Sequence, residues 1–412
     1  MMNPLTGSGQ TGRSPPHGGT RSVRAEPVEA LTTRRHLLVA SAGLLLANTR
    51  PARAQAPPPH RPGDTLRPRP LAFPRDHGSH NETRTEWWYL TGHAQDARGH
   101  DFGFQVTFFR SRVDGTQSLR SRLAARQLVF AHAAITDVQG QKLWHDERIG
   151  RWNGDAPAPS APAKVFASTD DTDVALRNWF LRREADGGYR TRITGREIHI
   201  DLRATPTQAI LLQGDRGFSR KGPQAEQASF YISHPQLAVS GTLGIGGERF
   251  AIQEGRAWLD HEWSEAILHP EAVGWDWVGM NLFNGDSLTA FRLRRADGSA
   301  LWAGGSFRTA AHAEREVDSG PLARFAPDAV AFEPLRHWTS PLTNARYPVA
   351  WRLRTPAGSF TVQTVLDAQE LDSRQSTGTV YWEGLSDLLD ASGQRVGRGY
   401  LEMTGYSQRL VL

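Results

Sequence analysis

The sequence has no cysteine, which excludes disulfides, thiolate catalysis and zinc–sulfur sites outright. Lysine is nearly missing too. Apart from Lys142, Lys164 and Lys221, every permanently charged base is arginine, which reflects genome composition rather than function. No apolar run reaches the about 20 residues needed to cross a bilayer. Helical periodicity is missing beyond the N-terminal region, except for a weak stretch near Asp328–Phe332. Short catalytic and cofactor signatures are absent as well. There is no G-x-S-x-G elbow, no phosphate loop and no dinucleotide fingerprint. His93, His132 and His269 are available, yet no HExxH or comparable spacing gathers them, so neither a metal nor a cofactor is expected.

What is present begins with an address. Arg34-Arg35 stands just ahead of the apolar stretch Leu37 to Ala47, and Ala52-Arg53-Ala54 supplies the small residues that signal peptidase needs. The arginine pair predicts twin-arginine export of a folded protein to the periplasm or beyond. Cleavage is expected after Ala54, because a cut after Ala56 would leave Pro57 at the new N-terminus. The leader 1–54 contains seven arginines and two acids. Its removal leaves 41 basic and 41 acidic side chains of the original 48 and 43. The mature chain is therefore neutral, with no global charge to draw it to nucleic acid, and it carries no stable membrane span. Residues 55–72, rich in Pro and Arg, read as an extended linker.

From Phe73 onward, short runs alternate apolar and polar residues between Gly, Asp and Asn turns. Phe102, Phe104, Val106 and Phe108 share one strand face, and Ile198, Ile200 and Leu202 share another. Asn284-Gly285-Asp286 marks a hairpin, since Asn-Gly tolerates positive φ. Val349, Trp351 and Leu353 repeat the period of two. Many short strands at this spacing predict an all-β sandwich or barrel. A faint repeat divides the chain. Glu86-Trp87-Trp88-Tyr89-Leu90-Thr91-Gly92 leads to Phe109-Arg110, and about 188 residues later Trp275-Asp276-Trp277-Val278-Gly279 leads to Phe291-Arg292.

The most concentrated polar motif is Trp258-Leu259-Asp260-His261-Glu262-Trp263. As a strand it turns Trp258, Asp260 and Glu262 to one side and His261 and Trp263 to the other. Two carboxylates two residues apart on one face can raise a pKa, and a histidine can exchange protons near neutrality. His261 can equally be a buried histidine tied to a carboxylate. Arg84 and Glu86 read as a buried ion pair at a barrel base. Asp276, flanked by Trp275 and Trp277, reads as a desolvated carboxyl suited to a general acid. The 13 tryptophans suit either core packing or the lining of a pocket for a large apolar ligand.

Six motifs in order carry a family resemblance: Glu86 to His93, Asp260 to Trp263, Gly274 to Trp277, Trp338-Thr339-Ser340-Pro341 with Tyr347-Pro348, Tyr381-Trp382-Glu383-Gly384, and Gly399 to Tyr406. Together they resemble the carotenoid 1,2-hydratase-like family, whose bacterial members are often labelled lipocalin-like or predicted secreted hydrolases. The resemblance implies an all-β fold of two consecutive lipocalin-like antiparallel β-barrels, placed at 73–262 and 263–412. It also implies a hydrophobic small-molecule ligand: a lipid, terpenoid or polyene. In the family's hydratases an acid protonates an alkene and water captures the cation. His261 and Trp263 match their His-x-Trp positions, whereas their downstream Tyr–Asp pair has no counterpart in Asp286–Arg292. The expected site joins His261, Asp276 and Glu262 as catalytic groups to Trp263, Trp275, Trp277, Trp88 and Glu86 as ligand contacts. The rival expectation is a non-catalytic periplasmic carrier or chaperone serving an envelope transporter. A secreted hydrolase is the third.

Overall fold

The computed structural model describes residues 66–121, 123–156, 165–266, 268–312 and 323–409. The leader 1–54, most of the linker and the Pro157–Lys164 loop lie outside the described residues. Among those described, no helix is long and apolar enough to cross a membrane.

The described chain forms two antiparallel sheets, one of thirteen strands between Thr85 and Ser264 and one of ten between Gly274 and Met403. The alternation seen in the sequence is what builds them. Along Ile198–Thr205, Ile198, Ile200, Leu202 and Ala204 are buried while their neighbours are half-buried or exposed. In the first sheet, the opening strand Thr85–Asp96 pairs with Asp101–Arg112 on one side and with the closing strand Glu248–Ser264 on the other. The edge strands Lys142–Trp152 and Val165–Ala167 meet where a Cβ on Gly150 would lie 2.8 Å from the Val165 side chain, so the barrel nearly closes. The second sheet has Ser287–Arg294, Gly274–Leu282, Arg395–Met403 and Thr379–Leu389 side by side at its centre.

Each barrel is filled by its own side chains, the first around Trp88, Phe104 and Trp179, the second around Tyr347, Trp351 and Trp382. Each interior also holds one arginine–carboxylate pair at matching points of the repeat. Glu86 is the register partner of Arg110, and Asp276 of Arg292. The arginine of the first pair is Arg110 rather than Arg84, which is exposed. The Nε of Arg110 donates to Glu86 at 2.9 Å with both side chains fully buried. The weak helical stretch near Asp328–Phe332 is a single 3-10 turn, Pro327–Ala329, followed by the strand Ala331–Thr339. Pairing with Arg346–Thr355 supplies hydrogen bonds that an isolated helical turn could not.

The outer faces of the two sheets pack against each other. This is why Ser287–Arg294 is buried at every position and Gly274–Leu282 at nearly every one. Gly103 is required at this contact: a Cβ there would come within 2.8 Å of the Tyr400 hydroxyl and 3.0 Å of Leu385.

Candidate functional site

Where the two sheets separate, their outer faces enclose a cavity of about 290 Å³. Trp87, Tyr89 and Phe109 line it from the first barrel, and Trp275, Trp277 and Phe291 from the second. Trp277 stands edge-on to Tyr89 and to Trp258, with ring centroids 5.4 and 6.4 Å apart. Gly279 makes room for it, since a Cβ there would sit 2.3 Å from the Trp277 ring.

Four carboxyl groups open into this aromatic chamber: Asp260 and Glu262 from one barrel, Glu383 and Glu402 from the other. Asp260 accepts hydrogen bonds from the Tyr231 hydroxyl (2.7 Å), the Ser233 hydroxyl (2.6 Å) and the Trp258 indole (2.6 Å). Burial nonetheless pushes its pKa up to about 7, with the Glu262 charge adding to the effect. Glu262 has a counter-ion, the Lys221 ammonium at 3.0 Å. Glu383 and Glu402 have none among the described residues. They are register partners on adjacent strands. Burial raises both, helped at Glu383 by the Glu402 charge and at Glu402 by the charges of Asp260 and Glu262. One oxygen of Glu383 accepts from Gln105 at 2.7 Å. Its other oxygen and the Tyr89 hydroxyl make no well-formed hydrogen bond among the described residues, yet they act on each other: Tyr89 draws the Glu383 pKa down and Glu383 pushes the Tyr89 phenol up. So loose a contact leaves both atoms open to a ligand.

Second-row contacts fix the walls. The Trp277 indole donates to the Tyr231 hydroxyl at 2.9 Å. His132 is held between the Tyr381 and Ser376 hydroxyls, 2.8 Å from each, and burial lowers its pKa to about 3, so it is neutral. Burial raises the phenols of Tyr89, Tyr231 and Tyr381, which therefore act as neutral hydrogen-bonding groups.

The residues expected from sequence divide between the two sides of the sheets. Glu262, Trp275 and Trp277 line the cavity. Glu86 borders it, but its carboxylate is engaged by Arg110, His80 and His261, each 2.9 Å away. Burial opposes ionisation of Glu86, and the Arg110 charge with the His261 and His80 hydrogen bonds more than offsets it, holding Glu86 well below its ordinary value. His261, Trp263 and Trp88 lie on the inward face of the first barrel. There His261 stacks on Trp88 at 4.8 Å, and Trp263 stacks on His80 at 3.7 Å. Burial lowers the His261 pKa, against the pull of Glu86. Asp276 likewise faces into its own barrel. It is bound by Arg292 (2.7 Å) and the Tyr406 hydroxyl (2.8 Å) and turned away from both flanking indoles. The structure thus does not bring His261 and Asp276 together with Glu262.

His80, Glu86 and His261 present donor atoms within 4.8 Å of one another, a spacing that could hold a metal ion. Each of these atoms already has a hydrogen-bond partner, and the Arg110 guanidinium occupies the same carboxylate. The group fits a hydrogen-bonded plug better than a cation site.

Sequence reading missed Glu383, Glu402, Tyr231 and Lys221. The available signal was a glutamate breaking the apolar set in two adjacent strands, at Glu383 and Glu402, inside motifs already singled out.

Fold and site together define a two-barrel, lipocalin-like protein with an acidic, aromatic cavity between the barrels. The chain belongs to the AttH-like family, whose model matches residues 64–406. A Nitrosomonas europaea protein described as AttH is 43% identical, covering 83% of this chain and 99% of that one, with a TM-score of 0.73. Kievitone hydratase from Nectria haematococca shares the fold at 15% identity and a TM-score of 0.62, over 83% of this chain and 95% of the other. CghA, solved with Sch210972, does so at 15% identity and a TM-score of 0.51, over 78% and 88%. No curated protein matches the sequence.

Proposed function

We propose that this exported protein binds a hydrophobic small molecule between its barrels and adds water to it, or removes water from it, by acid catalysis. The observation that carries the reading is the Glu383–Glu402 pair. Two carboxyls without a counter-ion among the described residues face each other in an aromatic chamber, beside a glutamate oxygen and a tyrosine hydroxyl that touch only loosely. A carboxyl kept protonated by burial is a proton donor at neutral pH. In the hydration direction, protonated Glu383 or Glu402 gives its proton to an alkene carbon. Water then forms the new C–O bond, and the Asp260 carboxylate takes the proton that water sheds. The indole faces of Trp275 and Trp277 stabilise the cationic intermediate. The likeness to kievitone hydratase supports this class, and the 15% identity leaves the substrate open.

Native mass spectrometry of protein taken from its own envelope identifies the co-purifying ligand. Incubating that ligand with the protein in ¹⁸O-labelled water should incorporate the label. Glu383→Gln with Glu402→Gln should abolish incorporation while affinity stays within about threefold, because the amides keep the shape of the carboxyls. A ligand that is bound but never altered would leave the carrier reading, which the aromatic lining supports equally. A chain that retains no hydrophobic ligand sinks both.

A further inference from the structure

A second cavity, of about 630 Å³, lies beyond Tyr231 and Phe291, which line both chambers. Its walls are mostly apolar, with Leu66 and Pro68 from the N-terminal segment, Phe218, Trp302, Phe325 and Pro327, interrupted by Gln213, Ser219 and Thr289. The partition is covered by Lys221, whose ammonium lies 4.4 and 4.2 Å from the Tyr231 and Phe291 ring centroids. Its charged residues differ in sign from those of the first chamber, being Arg67, Arg220 and Arg324 against Asp215 alone. Asp215 and Arg324 approach only to 3.5 Å, with both side chains largely exposed. The Arg220 guanidinium is committed to the carbonyls of Gly222 and Pro223 and lies over the Trp302 ring. Arg67 is exposed and has no ion pair among the described residues.

A mostly apolar chamber of this size is large enough for a lipid chain, and guanidinium groups match carboxylate and phosphate geometry. We propose that the second cavity binds the acyl chain of an amphiphile with an anionic head, carboxylate or phosphate, held by Arg67 and Arg324. The chain points toward the Tyr231–Phe291 partition. The rim carries the opposite charge to the four carboxyls of the first chamber, and the Tyr231–Phe291 partition stands between them, so this is a separate site from the one between the barrels.

Isothermal titration of the full protein with dodecanoate, dodecyl phosphate and dodecanol tests it, since the three probes share a chain and differ only at the head. One of the anionic probes should bind at least about tenfold tighter than dodecanol, and whichever does so names the head. The preference should shrink at high salt. Arg67→Glu with Arg324→Glu should remove the preference, and the two Arg→Lys replacements should keep most of it. Both side chains are at the surface, so the fold is not at stake. The ligand co-purifying with the first cavity should stay bound in the double Glu variant, which separates failure here from failure of the hydration reading. Equal binding of the three probes, or a double Glu variant that still prefers the anions, overturns the proposal.

Discussion

Replacing Asp260 by Asn isolates one desolvated carboxyl of the cavity. Burial pushes its pKa from 3.8 up to about 7 in the folded chain. The fold therefore holds this proton more tightly than the unfolded chain does. The stability it contributes is fully present below about pH 4 and is lost as pH rises to about 7. At about 1.4 kcal/mol per pH unit the loss is about 4 kcal/mol at most. Buried histidines run the other way. Burial lowers His77, His93 and His132 from 6.5 to about 3 and His234 to about 4. Their contribution is lost as pH falls through that range, so it rises with pH where that of Asp260 declines. The wild-type curve mixes both signs, and the useful readout is the difference between wild type and Asp260→Asn, in which the histidines cancel. Asn keeps the shape and one acceptor oxygen for Ser233 and Trp258, at a pH-independent cost of about 1–2 kcal/mol. Urea midpoints across the acid-to-neutral range should show the wild-type advantage shrinking by up to about 4 kcal/mol and then levelling above neutrality. Two curves that stay parallel within about 0.5 kcal/mol would refute the view of Asp260 as a desolvated acid.

His261→Ala should destabilise the protein by about 2–4 kcal/mol in thermal unfolding, by removing a stacked ring and one of the hydrogen bonds to Glu86. Binding of the neutral fluorophore N-phenyl-1-naphthylamine should stay unchanged, because this ring faces away from the cavity; a lost fluorophore site would contradict that placement. Gly279→Ala should push the Trp277 ring into the chamber and weaken the same fluorophore by about tenfold, read by titration. N-terminal sequencing of protein from the envelope fraction should begin at Gln55, and replacing Arg34 and Arg35 by Lys should leave the precursor in the cytoplasm. A mature chain that still carries residues 1–54 would overturn the export reading.

Much of the architecture was written locally. The alternation in Ile198–Thr205 and the Asn284-Gly285 turn are short-range signals, and both elements formed where their residues put them. The repeat was legible because it rests on paired residues: Glu86 with Arg110, Asp276 with Arg292, each carboxylate followed by a tryptophan. The face carrying Trp258, Asp260 and Glu262 was also readable from a period of two. That period separates two faces without saying which one meets a ligand. In an ordinary barrel the inward face would be chosen, and His261, Trp88 and Asp276 lie there. Here the outward faces are buried as well, because a second barrel covers them, and that docking is a long-range event. Glu383 and Glu402 approach through the pairing of two late strands, and Asp260 joins them only across the seam between the barrels.

The placement of the cavity on the outside of both barrels has a consequence for how such a chain can change. Each half contributes one wall and neither owns the chamber, so a half expressed alone would have nothing to hold. The two walls carry different chemistry on related frameworks: a hydrogen-bonded aspartate with a lysine on one, and two indoles with a bare pair of glutamates on the other. Swapping one half for that of a relative would therefore pair walls that had not met before, and new specificities could arise by recombination while each barrel keeps its own packed interior.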